Sequence, residues 1–273
     1  MSHNEHEQSA VREEKQRHSD LPFGDLEEEV SEGGQKVRHR GVYLLPNLFT
    51  TGALFCGFYA IVSAMNGNFT HAAVAILLAM LLDGMDGRVA RMTNTQSAFG
   101  EQYDSLADMV SFGVAPALVV FSWALQDLGR WGWAAAFIYT ACAALRLARF
   151  NTQIGVVDKK YFVGLASPPA AAIIAATVWT WFDVRPEGVW AVAVALLTAF
   201  AGLLMVSNFH YTSFKSVDFR GRVPFGVMLV VVFVFASLII YQEMGLLAIA
   251  VIYGLSAPSI WLFKKLGGKK SNT

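Results

Sequence analysis

The sequence predicts an all-α polytopic membrane protein with about eight transmembrane helices. Three observations carry this reading. Hydrophobic residues make up 55% of the 273 positions and charged residues only 15%, against about 25% charged in an ordinary soluble domain. The acidic charge is crowded: ten of the 21 acidic residues lie between Glu5 and Glu32. Beyond that tail, the chain divides into charge-free runs on the scale of a bilayer crossing. A net charge of zero with no basic domain argues against a nucleic-acid partner. Two cysteines, Cys56 and Cys142, are too few for a disulfide framework or a multi-cysteine zinc site.

Residues 1–35 are polar, acidic and poor in aromatics, the composition of a disordered tail. Such a polar start is unlike a cleaved signal peptide. Residues 36–44, KVRHRGVYL, form a basic interfacial segment. It either touches anionic headgroups or serves only as a topology anchor. Residues 45–265 are expected to form the transmembrane domain, and 266–273 a basic C-terminal tail. Residues 41–82 carry no Asp, Glu, Lys or Arg. At about 1.5 Å per residue this run is roughly twice a 30 Å hydrocarbon core, so two helices are expected, split at Asn66-Gly67-Asn68. Further charge-free runs cover 109–126, 131–145, 161–182, 188–214, 223–242 and 244–263. The run 131–145 is short, and snorkelling of Arg146 and Arg149 would lengthen it.

An even number of crossings puts both termini on one side of the membrane. That side then receives 16 of the Lys and Arg residues, and the opposite loops only Arg130 and Arg185. The asymmetry predicts cytoplasmic termini. Trp123, Trp131, Trp133, Trp179, Trp181 and Trp190 fall near the opposite interface, where an aromatic belt belongs. Gly52, Ala53 and Gly57, like Ala141–Ala144, suit close helix contacts. Cys56 and Cys142 suit small apolar packing. The histidines lie in the tail or stand isolated, so a histidine metal site is not expected.

One region breaks the apolar pattern, residues 81–117, LLDGMDGRVARMTNTQSAFGEQYDSLADMVSFGVAPA. Ionisable groups at membrane depth are costly and point to function. Asp83 and Asp86 are three apart and share one helix face; Asp104 and Asp108 are four apart and share another. A short connection makes the two helices antiparallel neighbours, so four carboxylates converge at their cytoplasmic ends. Unpaired, these charges repel; a divalent cation removes the conflict, and an all-oxygen donor set suits Mg²⁺, Mn²⁺ or Ca²⁺ over zinc. Mg²⁺ is commonly completed by substrate phosphates. Gly87 and Gly100 leave room for close ligand approach, and Arg88 and Arg91 offer cations for phosphate oxygens. The alternative is that these aspartates are solvated helix ends paired with the arginines, which would not need two same-face pairs. An EF-hand is excluded, because the alternating oxygen ligands and twelfth-position Glu are missing.

The pattern Asp83-x2-Asp86-Gly87-x2-Ala90-Arg91-x8-Gly100-x3-Asp104-x3-Asp108 resembles, without gap or departure, the signature of the CDP-alcohol phosphotransferases: eight fixed positions over 26 residues. The resemblance implies a membrane-embedded CDP-alcohol phosphotransferase-like helical core, usually a homodimer, with two divalent cations (Mg²⁺ or Mn²⁺) and a cytidine diphosphate donor. It implies that Asp83, Asp86 and Asp104 are metal ligands. It further implies that Asp108 lies near the metals and acts as the general base. Gly87, Ala90, Arg91 and Gly100 would line the nucleotide and pyrophosphate site. The segments LLPNLFTTGALFCGFYAIV (44–62), YDSLADMVSFGVAPA (103–117), ALRLARFN (144–151) and LMVSNFHYTSFK (204–215) look like the bacterial membrane-integral branch of that family. That branch takes CDP-diacylglycerol as donor and L-serine as acceptor, forms phosphatidylserine and releases CMP. The pairing His210-Tyr211 departs from that branch's texture.

By similarity the start of the first helix, with Asn47 and Thr50, closes over the nucleotide; the alternative is that Pro46-Asn47 only starts and caps that helix. Arg146 and Arg149 would receive the serine carboxylate or the lipid phosphate, or else act as positive-inside anchors. Lys215 reads as a loop cation. Together these readings place a multi-pass enzyme in the cell's inner (cytoplasmic) membrane, its active site facing the cytoplasm. Three rivals were weighed against it. A related enzyme using glycerol 3-phosphate or inositol phosphate would need a denser basic pocket. A prenyltransferase would carry its aspartate pairs far apart in sequence. A transporter would show repeats and midplane breaks.

Overall fold

In the computed structural model, residues 29–32, 35–38, 44–93, 98–153, 161–212 and 242–267 are described. The described residues form a helical membrane protein with one small hairpin and one long-range pair of short antiparallel strands. The tail expected to be disordered lies outside them as far as residue 28. Its last part and the start of the basic segment form a hairpin, β1 (Glu29–Glu32) against β2 (Gln35–Arg38), so the boundary expected at residue 35 falls within paired strands. The expected span 223–242, except for Gln242, and Lys215 lie outside the described residues.

α1 (Leu44–Met65) and α2 (Phe69–Met92) are antiparallel, joined at Asn66-Gly67-Asn68 as the sequence predicts. Ala53, Cys56, Ala60 and Ala64 of α1 are buried at helical spacing, as are Ala72, Ile76 and Ala79 of α2. Small side chains let the two backbones approach where the hydrophobic effect supplies no drive. Continuing the α2 stripe by four and then three residues reaches Asp83 and Asp86. The carboxylates thus occupy positions that the register assigns to the protein interior.

α3 (Ala98–Asp108), a π-helical turn (Met109–Val114), α4 (Ala115–Val120), a second π-helical turn (Phe121–Leu125) and a 3-10 turn (Gln126–Leu128) make one continuous rod. The first π turn directly follows Asp108. It is fastened from two sides: Ser111 Oγ donates to the Ala53 carbonyl at 3.0 Å, and the buried Tyr139 hydroxyl donates to the Phe112 carbonyl at 3.0 Å. A π turn disturbs the regular ladder of backbone hydrogen bonds; here Tyr139 supplies a donor to the turn's Phe112 carbonyl, and Ser111 ties the turn to the α1 backbone. Gly57 is required here, because a Cβ on it would lie 2.8 Å from Ser111 Cα.

α5 (Arg130–Gln153) is longer than the charge-free run that predicted it. Arg146 and Arg149 lie inside its last two turns. The expected snorkelling does not describe Arg146, which turns inward. α6 (Ser167–Thr180) begins later than the run from residue 161, because Pro168 and Pro169 favour a helix start. Residues 161–163 instead form β3 (Tyr161–Val163), paired with β4 (His210–Thr212). α7 (Val189–Val206) correspondingly ends before the charge-free run does, and α8 (Gln242–Gly267) closes the described chain.

At only 14 residues, α6 is about 21 Å long. Residues 170–178 are all buried, so α6 is the central helix, wrapped by the others. Among the described residues, four helical stretches are long and apolar enough to cross a membrane by themselves: Asn47–Met65, Phe99–Leu128, Val189–Val206 and Gln242–Trp261. Trp131, Trp133, Trp181 and Trp190 are exposed at helix ends remote from the carboxylates. Trp123, expected in the same belt, is instead 2% exposed, and its indole N–H donates to the Val184 carbonyl at 3.0 Å. Cys56 and Cys142 are free and buried.

Candidate active site

α2 enters the site with Asp83 and Asp86, and α3 with Asp104 and Asp108. Antiparallel register crosses the pairs: Asp83 faces Asp108, and Asp86 faces Asp104. Asp83, Asp104 and Asp108 each present a carboxylate oxygen within 4.8 Å of the others. Asp86 stands beside this triangle and is the most enclosed of the four, at 6% exposure. Its Oδ2 accepts a 2.8 Å hydrogen bond from the buried Thr50 hydroxyl. The resemblance set Asp83, Asp86 and Asp104 as ligands with Asp108 beside them as base; in the structure Asp83, Asp104 and Asp108 converge, and Asp86 is held by Thr50.

Asp104 Oδ1 is buried and has no hydrogen-bond partner among the described residues. A buried oxygen left in this state costs about 1–3 kcal/mol, more when charged. Together with the three carboxylates gathered in one small volume, it makes this a place that could hold a cation. Oxygen-only donors of this kind fit Mg²⁺ or Mn²⁺.

The proposed nucleotide side is assembled in part. Thr50 lies in the site, so its role exceeds that of a helix start. Asn47 sits one turn earlier and is half-buried; its carbonyl accepts from the Thr51 hydroxyl at 2.7 Å. It does not cap α1, which begins at Leu44. Gly87 follows Asp86, and the Arg91 guanidinium passes over it, 3.5 Å from where a Cβ would stand. Arg91 is also within electrostatic range of Asp86. Ala90 is half-buried on the same helix, and Gly100 half-buried one turn before Asp104. Arg88 is exposed.

The two acceptor candidates separate. Arg146 is within electrostatic range of Asp108 and Asp83, and its Nη1 donates to Ser167 Oγ at 2.8 Å. Arg149 turns elsewhere, donating from both Nη1 and Nη2 to Asn208 Oδ1 at 3.2 Å. Sequence reasoning did not find Ser167, Tyr103 or Asn151. Tyr103 meets the Thr51 hydroxyl at 2.9 Å and ties α3 to α1. Ser105 and Asn151 exchange hydrogen bonds that tie α3 to α5. Tyr103 and Asn151 lie at the ends of the family-like segments 103–117 and 144–151, and Ser167 in a charge-free run, where nothing singles them out. His210-Tyr211, the departure noted above, brings Tyr211 into the core: its hydroxyl donates to the Gly254 carbonyl at 2.8 Å.

Helical membrane architecture and an aspartate cluster shared by two helices define the class of site to be compared with known proteins. The CDP-alcohol phosphatidyltransferase family model matches residues 43–202, more than half of the chain. The chain therefore belongs to that family, as its signature predicts, and is an enzyme of it. It is similar to the CDP-diacylglycerol–serine O-phosphatidyltransferase of Helicobacter pylori, with 35% identity over 81% of this chain and 92% of that protein. The protein of the same description from Bacillus subtilis is 33% identical over 63% of this chain and 91% of its own length. The one from Saccharomyces cerevisiae is 40% identical over 44% of this chain and 48% of its own.

Proposed function

We propose that the protein transfers the phosphatidyl group of CDP-diacylglycerol to the hydroxyl of L-serine. The products are phosphatidylserine and CMP. The observation that carries this reading is the triangle of Asp83, Asp104 and Asp108 carboxylates at the end of two helices, with Asp104 Oδ1 unpartnered inside it. The acceptor is drawn from the relatives' names, and the setting of Arg146 supports it: a guanidinium beside Asp108 suits a carboxylate-bearing amino alcohol.

The serine oxygen attacks the phosphorus that carries diacylglycerol, a new P–O bond forms, and the P–O bond to CMP breaks. Asp108 accepts the hydroxyl proton as the attack proceeds, which turns a poor nucleophile into a competent one. Asp83, Asp104 and Asp108, with Asp86 alongside, would hold two divalent cations, Mg²⁺ or Mn²⁺, whose chemistry there is neutralisation of diphosphate charge. Arg91 adds a cation for the leaving phosphate. Thr50 fixes the Asp86 carboxylate, and Asn47, Gly87, Ala90 and Gly100 shape the nucleotide side. In this reading the site faces the cytoplasm from the inner membrane, both termini are cytoplasmic, and the enzyme is a homodimer.

The test is CMP release by purified protein given CDP-diacylglycerol and, separately, L-serine, glycerol 3-phosphate or inositol phosphate. Serine alone should support rapid release; release with another acceptor and not with serine defeats the assignment. Asp108→Asn should lower turnover by about 10²–10⁴-fold at an unchanged unfolding temperature. A chelator should abolish release, and Mg²⁺ or Mn²⁺ should restore it.

A further inference from the structure

Arg146 approaches Asp108 and Asp83 closely enough to feel their charge, yet among the described residues it forms an ion pair with neither. A flexible cation next to two carboxylates ordinarily closes on them. What holds this one back is visible. Its Nη1 donates to Ser167 Oγ at 2.8 Å, and Ser167 is 0% exposed. Ser167 is free for the task. Ala166 is the N-cap residue of α6, and no side chain caps that helix.

The platform under Ser167 is rigid. Leu165 N–H donates to the Leu204 carbonyl at 2.9 Å, and Gly164 N–H to the Phe209 carbonyl at 2.8 Å. Gly164 has φ +85°, and a Cβ there would collide with the Met205 carbonyl, so the turn before Ser167 is locked onto the end of α7. The same stretch carries Asn208, which engages Arg149. One polar ledge therefore orients both Arg146 and Arg149 of α5, each toward a different place.

We propose that Ser167 is a positioning residue for the acceptor: its buried hydroxyl anchors the Arg146 guanidinium away from Asp83 and Asp108, leaving the remaining N–H donors to bind the acceptor's carboxylate. This deepens the proposed serine transfer and rests on it. Without the Ser167 hydroxyl, the guanidinium swings onto the aspartates and becomes unavailable to the acceptor.

The experiment measures CMP release by the full chain in lipid nanodiscs, varying L-serine and CDP-diacylglycerol separately. Ethanolamine, the same amino alcohol without the carboxylate, serves as a second acceptor. Ser167→Ala should raise KM for serine about tenfold, the scale of one charge-assisted hydrogen bond. KM for CDP-diacylglycerol and the unfolding temperature should hold, and the preference for serine over ethanolamine should shrink. In an Arg146→Lys background, Ser167→Ala should add nothing further. An unchanged serine KM, an equal rise for both substrates, or full additivity with Arg146→Lys overturns the positioning role alone. Wild-type protein inert with serine overturns both this role and the transfer reaction.

Discussion

Thr50 shows how a polar residue can hide in an apolar helix. The sequence sets it in a charge-free run, where a threonine reads as neutral filler or as part of a helix start. The structure aims its hydroxyl at Asp86. The four aspartates were legible because charge at membrane depth demands a reason and their spacing repeats. Thr50 was suspected only by similarity, and Ser167 not at all, since a hydroxyl carries no such cost and its partner is distant in sequence. Thr50→Val, which keeps the shape and loses the hydrogen bond to a carboxylate, should lower turnover about tenfold or more. Thr51→Val, next door but bonded to the Asn47 carbonyl and Tyr103, should stay within about threefold. Parallel CMP-release assays on the two variants check this contrast.

The rod from Ala98 to Leu128 is where periodicity reading falls short. Its hydrophobic content predicted a crossing, but a run of apolar letters does not show where a helix widens into a π turn. That turn follows Asp108 and is clamped by Ser111 to α1 and by Tyr139 to α5. It shifts the register of everything after it relative to Asp104 and Asp108. Gly57 was expected to be a contact surface, and it is one, against Ser111. Gly57→Leu should force α1 off the π turn and lower the unfolding temperature of the detergent-solubilised protein, on the scale of about 1–3 kcal/mol for overpacking. Tyr139→Phe keeps the ring and deletes the clamp. It should cost about 1 kcal/mol or more through the exposed carbonyl demand, together with a loss of turnover, because the turn positions the aspartates. Circular dichroism melts and turnover measured on the same preparations separate the two effects.

For the whole molecule, composition and charge asymmetry sufficed to establish a multi-pass helical protein, and Gly52, Ala53 and Gly57 were legible as a contact surface, though not which element each would meet. Lengths were less legible. Charge-free runs overstate helices where proline or a strand intervenes, as at 161–166 and 207–212, and understate them where an arginine turns inward, as Arg146 does. Orientation remains open to a direct check. In a background of Cys56→Ala and Cys142→Ala, Glu187→Cys should react with an impermeant maleimide in intact cells. Lys269→Cys should react only after permeabilisation; the reverse pattern would invert the topology. A last consequence concerns α6. Because lipid scarcely meets it, selection on this helix acts through volume and hardly through oiliness. Ala175, at 0% exposure, should accept serine, which can return its hydroxyl to its own backbone, and reject leucine, although leucine is the greasier residue. The perimeter helices should show the opposite tolerance, so a mutational map of this protein would read as a soluble core inside a membrane coat.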